Sequence, residues 1–340
     1  MNVNWNISGH NNILNYLENC VKKNSLHHAY LFFGPEHVGK ATTAHFFSKM
    51  ILCSAKSAEN LPCGNCVNCI QFEKKLHPDF HEIYKGIDEK TKALKKNISI
   101  DQILKLQSSI SRYSLYNNHT VIIIHDAEDL SDNAKNALLK TLEEPNDKTT
   151  IILIFKTLKN VLKTIISRCQ LVKFYPLPDK KIYDLLMQSG YKKDEAENIS
   201  KISYGIPGKA ISFAKNKDDY NDYAIAVKFF INLIVQPLYK KIQLTKNIID
   251  SREKDYIENI KKINDIFSLW MLILRDMILI KNNNVYLINN TFVKSELTEI
   301  SNLAPAKHWR KIYENILDAK ILLQNNVHPK IVLENFIINS

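Results

Sequence analysis

Gly34, Gly39 and Lys40 stand in the spacing G-x4-G-K, within Gly34-Pro35-Glu36-His37-Val38-Gly39-Lys40. Glycines at these intervals let successive backbone N–H groups turn onto a phosphate at a helix N-terminus. The lysine then meets the beta and gamma phosphates, and a hydroxyl beside it holds magnesium. That hydroxyl is missing, because Ala41 occupies the position and Thr42 comes one residue late, about 100° further around a helix. The loop therefore keeps its phosphate-type residues and loses its metal ligand, which puts ATP binding by this chain in doubt.

A second group consists of cysteines. Cys53, Cys63, Cys66 and Cys69 follow the pattern C-x9-C-x2-C-x2-C. In a reducing compartment such pairs point to zinc, whose tetrahedral structural sites take four thiolates at about 2.3 Å. Gly64, Asn65 and Asn68 allow the tight turns that aim successive thiolates at one ion. Four thiolates leave no open position for water, so Zn2+ here would be structural rather than catalytic. A redox pair or chance clustering is the alternative reading. Cys20 and Cys169 lie outside the pattern and read as ordinary buried thiols.

These groups need a scaffold. The apolar run Ala29-Tyr30-Leu31-Phe32-Phe33 reads as a buried strand feeding the loop, and Ala44, Phe47, Met50 and Ile51 as the apolar face of the helix that follows. Val121-Ile122-Ile123-Ile124 reads as a second strand, ending in His125-Asp126-Ala127-Glu128. There His125 stands where an aspartate would hold magnesium and Asp126 takes the place of a water-orienting acid; Asp126 and Glu128 read either as solvated loop acids or as remnants of a catalytic pair. An amphipathic helix with Ala134, Ala137, Leu138, Thr141 and Leu142 on one face closes at Pro145. Strands over Thr150–Phe155 and Leu171–Phe174 complete an α/β alternation expected of a parallel sheet covered by helices.

The motifs then become specific. Asn136-Ala137-Leu138-Leu139-Lys140-Thr141-Leu142-Glu143-Glu144-Pro145, with Ser167-Arg168-Cys169, the four-cysteine insertion and His28-Ala29-Tyr30-Leu31-Phe32, resembles the bacterial DNA polymerase III clamp loader, over most of the first 175 residues. The resemblance implies an AAA+ P-loop domain, a small helical lid, and an all-α collar that joins five subunits into a ring. Pro176-Leu177-Pro178 and the polar run Lys215 to Asp222 serve as boundaries, giving residues 1–176, 177–214 and 215–340 for the three parts. Ala224–Val235, Ile257–Ile280 and Lys307–Leu323 read as collar helices, and Leu274–Met277 and Val327–Phe336 also resemble collar segments.

Two kinds of subunit in that family compete, the gamma/tau motor and the delta-prime subunit. Ala41 and His125 favour the delta-prime kind, as does Gly208, which falls where motors carry a nucleotide-sensing arginine; Phe155-Lys156-Thr157 also lacks a clear sensor residue. The chain stops at Ser340, without the long extension expected of tau. The resemblance implies that Arg168, in its Ser167-Arg168-Cys169 motif, reaches across a subunit boundary to ATP on a neighbouring motor; taken without the motif, the residue reads as a surface or interface salt bridge. Its implied partners are gamma/tau and delta subunits, and through them the sliding clamp and primer-template DNA. Polymerisation itself would belong to the holoenzyme.

Composition sets the outer limits. At 340 residues the chain suggests about two or three domains, and 45% hydrophobic with 24% charged residues supports a packed core rather than disorder. A formal charge of +11 would favour a polyanion such as DNA, but the lysines are scattered among abundant Asn and Ile. A zinc-dependent DNA-binding module would need basic residues around the cysteines, and Leu61 to Glu73 holds no Lys or Arg. The first residues show no cationic segment followed by an apolar core, so a cytoplasmic chain is expected. The most apolar stretch, Ile266–Leu274, is too short to span a bilayer and reads as a buried helix.

Overall fold

A computed structural model describes residues 7, 9–55, 61–87, 95, 97–110, 119–146, 148–159, 161–246, 248 and 256–340. The expectation about the extreme N-terminus rests partly on residues 1–6 and 8, outside the described residues. The chain forms two compact units, Met1–Leu185 with Gly205–Lys209, and Leu186–Tyr204 with Ala210–Ser340.

The first unit contains helix α1 (Asn11–Lys22), strand β1 (Ala29–Phe33), α2 (Lys40–Leu52), α3 (Val67–Glu73), β2 (Phe80–Ile83), α4 (Ile100–Ile110), β3 (Thr120–Ile124), α5 (Asp132–Glu143), β4 (Thr149–Phe155), α6 (Lys163–Ile166), β5 (Gln170–Lys173) and the start of α7 (Asp179–Gln188). The strands form one sheet in the order β2-β3-β4-β1-β5, with every neighbouring pair parallel. The near-continuous apolar strands are explained by burial of both faces. Ala29, Leu31, Ile122, Ile124, Ile151 and Leu153 point to one side, against Leu106 and Leu138. Tyr30, Phe32, Val121, Ile123, Ile152 and Ile154 point to the other, against Leu17 and Phe47, as period-two alternation requires.

Because all strands run the same way, their carboxyl ends share one edge. The loops after β1, β3 and β4 open there, which is where α/β sheets bind ligands. Ser131 caps α5 by accepting from the Ala134 N–H at 3.2 Å.

The second unit is helical: α8 (Lys193–Ile202), most of α9 (Pro207–Lys215), α10 (Lys217–Ile234), α11 (Leu238–Thr245), α12 (Tyr256–Lys281), α13 (Lys294–Ser301), α14 (Ala306–Gln324) and α15 (Pro329–Ile338). Ile266–Leu274 lies inside α12, where Phe267, Trp270, Ile273 and Leu274 are buried. Trp270 stacks on Phe230 at 4.8 Å between ring centroids, and Phe336 lies 5.4 Å from it. No helix among the described residues is long and apolar enough to cross a membrane. Fully buried Asp276 accepts from the N–H groups of Asn289 (3.2 Å) and Asn290 (2.9 Å), which ties the loop after α12 back to that helix.

The polar run Lys215 to Asp222, read as a boundary, spans the end of α9 at Lys215, the junction at Asn216 and the first turns of α10. The side chain of Asn216 accepts from the Asp218 N–H at 3.1 Å, and Asp218 and Asp219 sit in the first turn, where acids complement the helix dipole.

Candidate functional site

Gly39 takes φ 109° and begins α2, a conformation that favours glycine. Gly34 has φ 146°, and a Cβ there would run into the Phe174 carbonyl. Both glycines thus occupy backbone positions that a side chain would strain or crowd. The loop's lysine is committed elsewhere: Lys40 is buried, and its Nζ donates to the carbonyls of Gly34 and Pro35, both at 2.5 Å. Burial lowers the Lys40 ammonium from its usual range, against the pull of Glu128, Glu36 and Asp126. Thr42 is exposed, and Thr43 Oγ1 donates back to the Gly39 carbonyl at 2.9 Å.

Lys156, just beyond β4, lies across the mouth of the loop. Its Nζ pairs with Glu36 at 2.6 Å and approaches Glu128 at 3.9 Å. Glu128 departs from a solvated acid: its carboxylate oxygens are buried, and burial pushes its carboxyl up against the pull of its own backbone N–H and of Lys156. Gly208 packs against the loop as well, its N–H donating to the His37 carbonyl at 3.0 Å. A Cβ on Gly208 would stand 2.8 Å from His37 Cβ and 2.9 Å from its carbonyl oxygen. A sensor arginine therefore has no room at this position unless the loop moves.

His125 does not face an open metal position of the loop. His125 and His45 each bring Nε2 to 2.9 Å from the same Glu82 Oε1, to which the Tyr84 hydroxyl donates at 2.7 Å. The Tyr84 ring stacks on His125 at 4.1 Å. Burial opposes the Glu82 charge, but hydrogen bonds from His125, His45 and Tyr84 outweigh it and hold the carboxyl well below its usual range. His45 and Glu82 were missed from sequence because they sit on α2 and β2, with no local pattern linking them to His125.

The four cysteines converge, with their sulfurs within 4.8 Å of one another, and could together hold a metal ion. The Cys53 and Cys66 sulfurs are 3.9 Å apart, close to the roughly 3.8 Å edge of a tetrahedron with metal–sulfur bonds near 2.3 Å. Cys53 ends α2 and Cys66 caps α3. Backbone N–H groups of Cys63, Cys66 and Cys69 donate to the sulfurs of Cys53 (3.4 Å), Cys63 (3.3 Å) and Cys66 (3.4 Å) in turn, the partners a thiolate needs. Burial opposes ionisation of Cys66, yet hydrogen bonds from Ser54 and the Cys69 amide bring it down to about 6. Asn68 Nδ2 donates to the Leu52 carbonyl at 2.7 Å and fixes α3 against the end of α2.

Arg168 follows α6, separate from the loop residues. Its guanidinium donates to the Thr164 carbonyl at 3.0 Å and to Ser167 Oγ at 3.3 Å, and pairs with Glu143 at 2.9 Å. With about a third of its side chain exposed, it borders an open pocket shared with His28, Leu142 and Gln170. Cys169 packs on the sheet core, and burial pushes its thiol up to about 12. Cys20 is buried too.

The family model described as "DNA polymerase III, delta subunit" matches residues 9–178. The chain is 33% identical over 219 residues to the DNA polymerase III subunit delta' of Bacillus subtilis (strain 168), covering 64% of this chain and 63% of that one. It is 33% identical to the delta' subunit of Haemophilus influenzae, over 42% of this chain and 41% of that one. A DNA polymerase III subunit gamma of Buchnera aphidicola (subsp. Schizaphis graminum) is 27% identical over 88% of this chain and 83% of its own length. The matched segments thus span less than two thirds of the two delta' relatives. With the model matching half the sequence across the whole P-loop sheet, the chain belongs to the DNA polymerase III delta-subunit family, on the side of its delta' members.

Proposed function

We propose that the chain is a delta-prime-type subunit of a DNA polymerase III clamp loader. In this reading it is a stationary member of a ring with gamma/tau and delta subunits, and it helps load the sliding clamp onto primer-template DNA in the cytoplasm. Its P-loop domain, residues 1–176, does not turn over ATP, residues 177–214 act as the lid, and residues 215–340 form the oligomerising collar. Arg168, presented by Ser167 and Cys169, acts in trans on ATP held by the neighbouring motor. Cys53, Cys63, Cys66 and Cys69 hold a structural Zn2+, for which their mutual spacing is suited.

The observation that carries this division of labour is Lys40. It is buried against the carbonyls of Gly34 and Pro35, on a loop whose following residue, Ala41, offers no magnesium ligand. Phosphoryl transfer depends on both groups. Arg168 keeps only surface partners, which a phosphate could replace.

The test has two arms. The purified chain with magnesium and ATP is expected to show no turnover above a Lys40→Ala control. In a loader reconstituted with motor subunits, Arg168→Ala is expected to leave assembly intact and slow hydrolysis at the adjoining site, where such arginines are worth about 10³ to 10⁵ in other nucleotide hydrolases. Lys40-dependent turnover by the chain alone would make it a motor of the gamma/tau kind, and unchanged loader turnover would remove the role of Arg168.

A further inference from the structure

We propose that His45, Glu82 and His125 form a second metal site, separate from the four cysteines, that takes a zinc-class divalent cation on two imidazole nitrogens and one carboxylate oxygen. The three residues come from α2, β2 and the residue after β3, and their ligand atoms lie within 4.8 Å of one another. Each imidazole Nε2 is 2.9 Å from Glu82 Oε1. Bonds of about 2.0–2.2 Å to a tetrahedral zinc place neighbouring ligand atoms roughly 3.3–3.5 Å apart. A cation entering between them needs the donors to spread by about half an ångström, within reach of small side-chain rotations.

Donor chemistry selects the ion. Magnesium demands oxygen ligands in octahedral array, whereas imidazole with one carboxylate suits zinc and its transition-metal neighbours. Three protein ligands leave a fourth position for water, the pattern of open rather than closed zinc sites.

The surroundings hold the ligands in place. The His125 N–H donates to the Ile83 carbonyl at 3.0 Å, which joins the backbone at His125 to the strand that carries Glu82, and the Tyr84 ring covers one face of His125. Phe80 and Phe72 lie beside the His45 ring, at 5.8 and 6.3 Å between centroids. Glu82 and His125 are 15% and 12% exposed while His45 is 35% exposed, so an ion has an approach past His45. The site uses neither Lys40 nor Arg168 and stands independently of the clamp-loader reading.

The experiment uses the full chain, stripped of metal by chelation under reducing conditions and titrated with Zn2+ and, in parallel, Co2+. Thiolate ligands give Co2+ an intense charge-transfer absorption that imidazole and carboxylate do not, so the two sites are told apart in one spectrum. The wild-type chain is expected to take up one equivalent more than its charge-transfer band accounts for. Glu82→Gln and His45→Gln should each lose that extra equivalent while keeping the band and the folded circular dichroism. Two variants are used because one of them could fail to fold; a variant that has kept its band and fold decides the matter. Uptake fully accounted for by the thiolate band, or an extra equivalent that persists in a folded variant, overturns the proposal.

Discussion

Glu128 brings a negative charge to a place where its oxygens are buried and poorly satisfied, met by its own backbone N–H and with Lys156 no closer than 3.9 Å. Such a charge costs stability, and more than a neutral group of the same shape would. Burial raises the folded carboxyl above its ordinary value, so the folded chain holds this proton more tightly than the unfolded one. Both states are protonated in strong acid, and the cost appears only as pH climbs through the ordinary carboxylate range to the raised folded value. Glu128→Gln is therefore expected to stabilise the protein by about 1 kcal/mol at pH 7, with the difference fading below about pH 4. Urea unfolding of both proteins at the two pH values measures it, and a gap that does not change with pH would mean that the carboxylate is solvated after all. Nothing in the sequence pointed to this burial, because an acid two residues past a His-Asp strand end looks like any loop acid. His45 and Glu82 were equally invisible, since only the pairing of β2 with β3 brings Glu82 to His125.

At the scale of elements, legibility followed the length and continuity of apolar runs. β1, β3 and β4 are unbroken apolar stretches buried on both faces, and such runs stand out. β2, Phe80-His81-Glu82-Ile83, is four residues at the sheet edge with two polar ones, so no run announces it. The opening of α10 reads as a boundary in the sequence because the polar residues that cap a helix are also those that populate linkers. The cysteine element was the reverse case, its spacing legible and its four sulfurs convergent in the fold. α3 is only seven residues long, too short to persist in water by itself, and it is held by the sulfurs and the Asn68 bond to Leu52 at its start and by buried Phe72 and the Glu73–Lys49 pair at its end. If the four cysteines hold zinc as proposed, its removal should therefore act locally. With a strong chelator present, amide exchange across α3 and Cys63–Cys66 is expected to speed up by at least about tenfold, an opening cost of some 1.4 kcal/mol or more, while β1, β3 and β4 keep their protection. Exchange that rises equally in the sheet would show that the metal holds the whole unit, and no change in α3 would remove the structural role of the ion.

For the molecule as a whole, the features on which the proposed non-motor reading rests are distributed over several parts of the first unit, and this decides whether they can be reversed piecemeal. The loop after β1 lacks a magnesium hydroxyl and has its lysine turned inward. The residue after β3 is bound to Glu82. Gly208 is packed so closely on His37 that any side chain must displace the loop. Motif spacing exposed Ala41 and His125, and resemblance Gly208, but only packing shows the turned lysine, the bond to Glu82 and the crowding at Gly208. Ala41→Thr combined with His125→Asp would restore both metal-ligand types, yet it leaves Lys40 bonded to its own loop and sets a second carboxylate beside Glu82, where like charges repel. The double variant is expected to fold and to hydrolyse no ATP above the Lys40→Ala background. Adding Gly208→Arg should then cost about 1–3 kcal/mol through overpacking against the His37 backbone, read as a lower urea midpoint, rather than rescue turnover. Hydrolysis by the double variant alone would show that metal ligands were all the site lacked; rescue on adding the arginine would show that the loop yields more easily than its contacts with Gly208 imply.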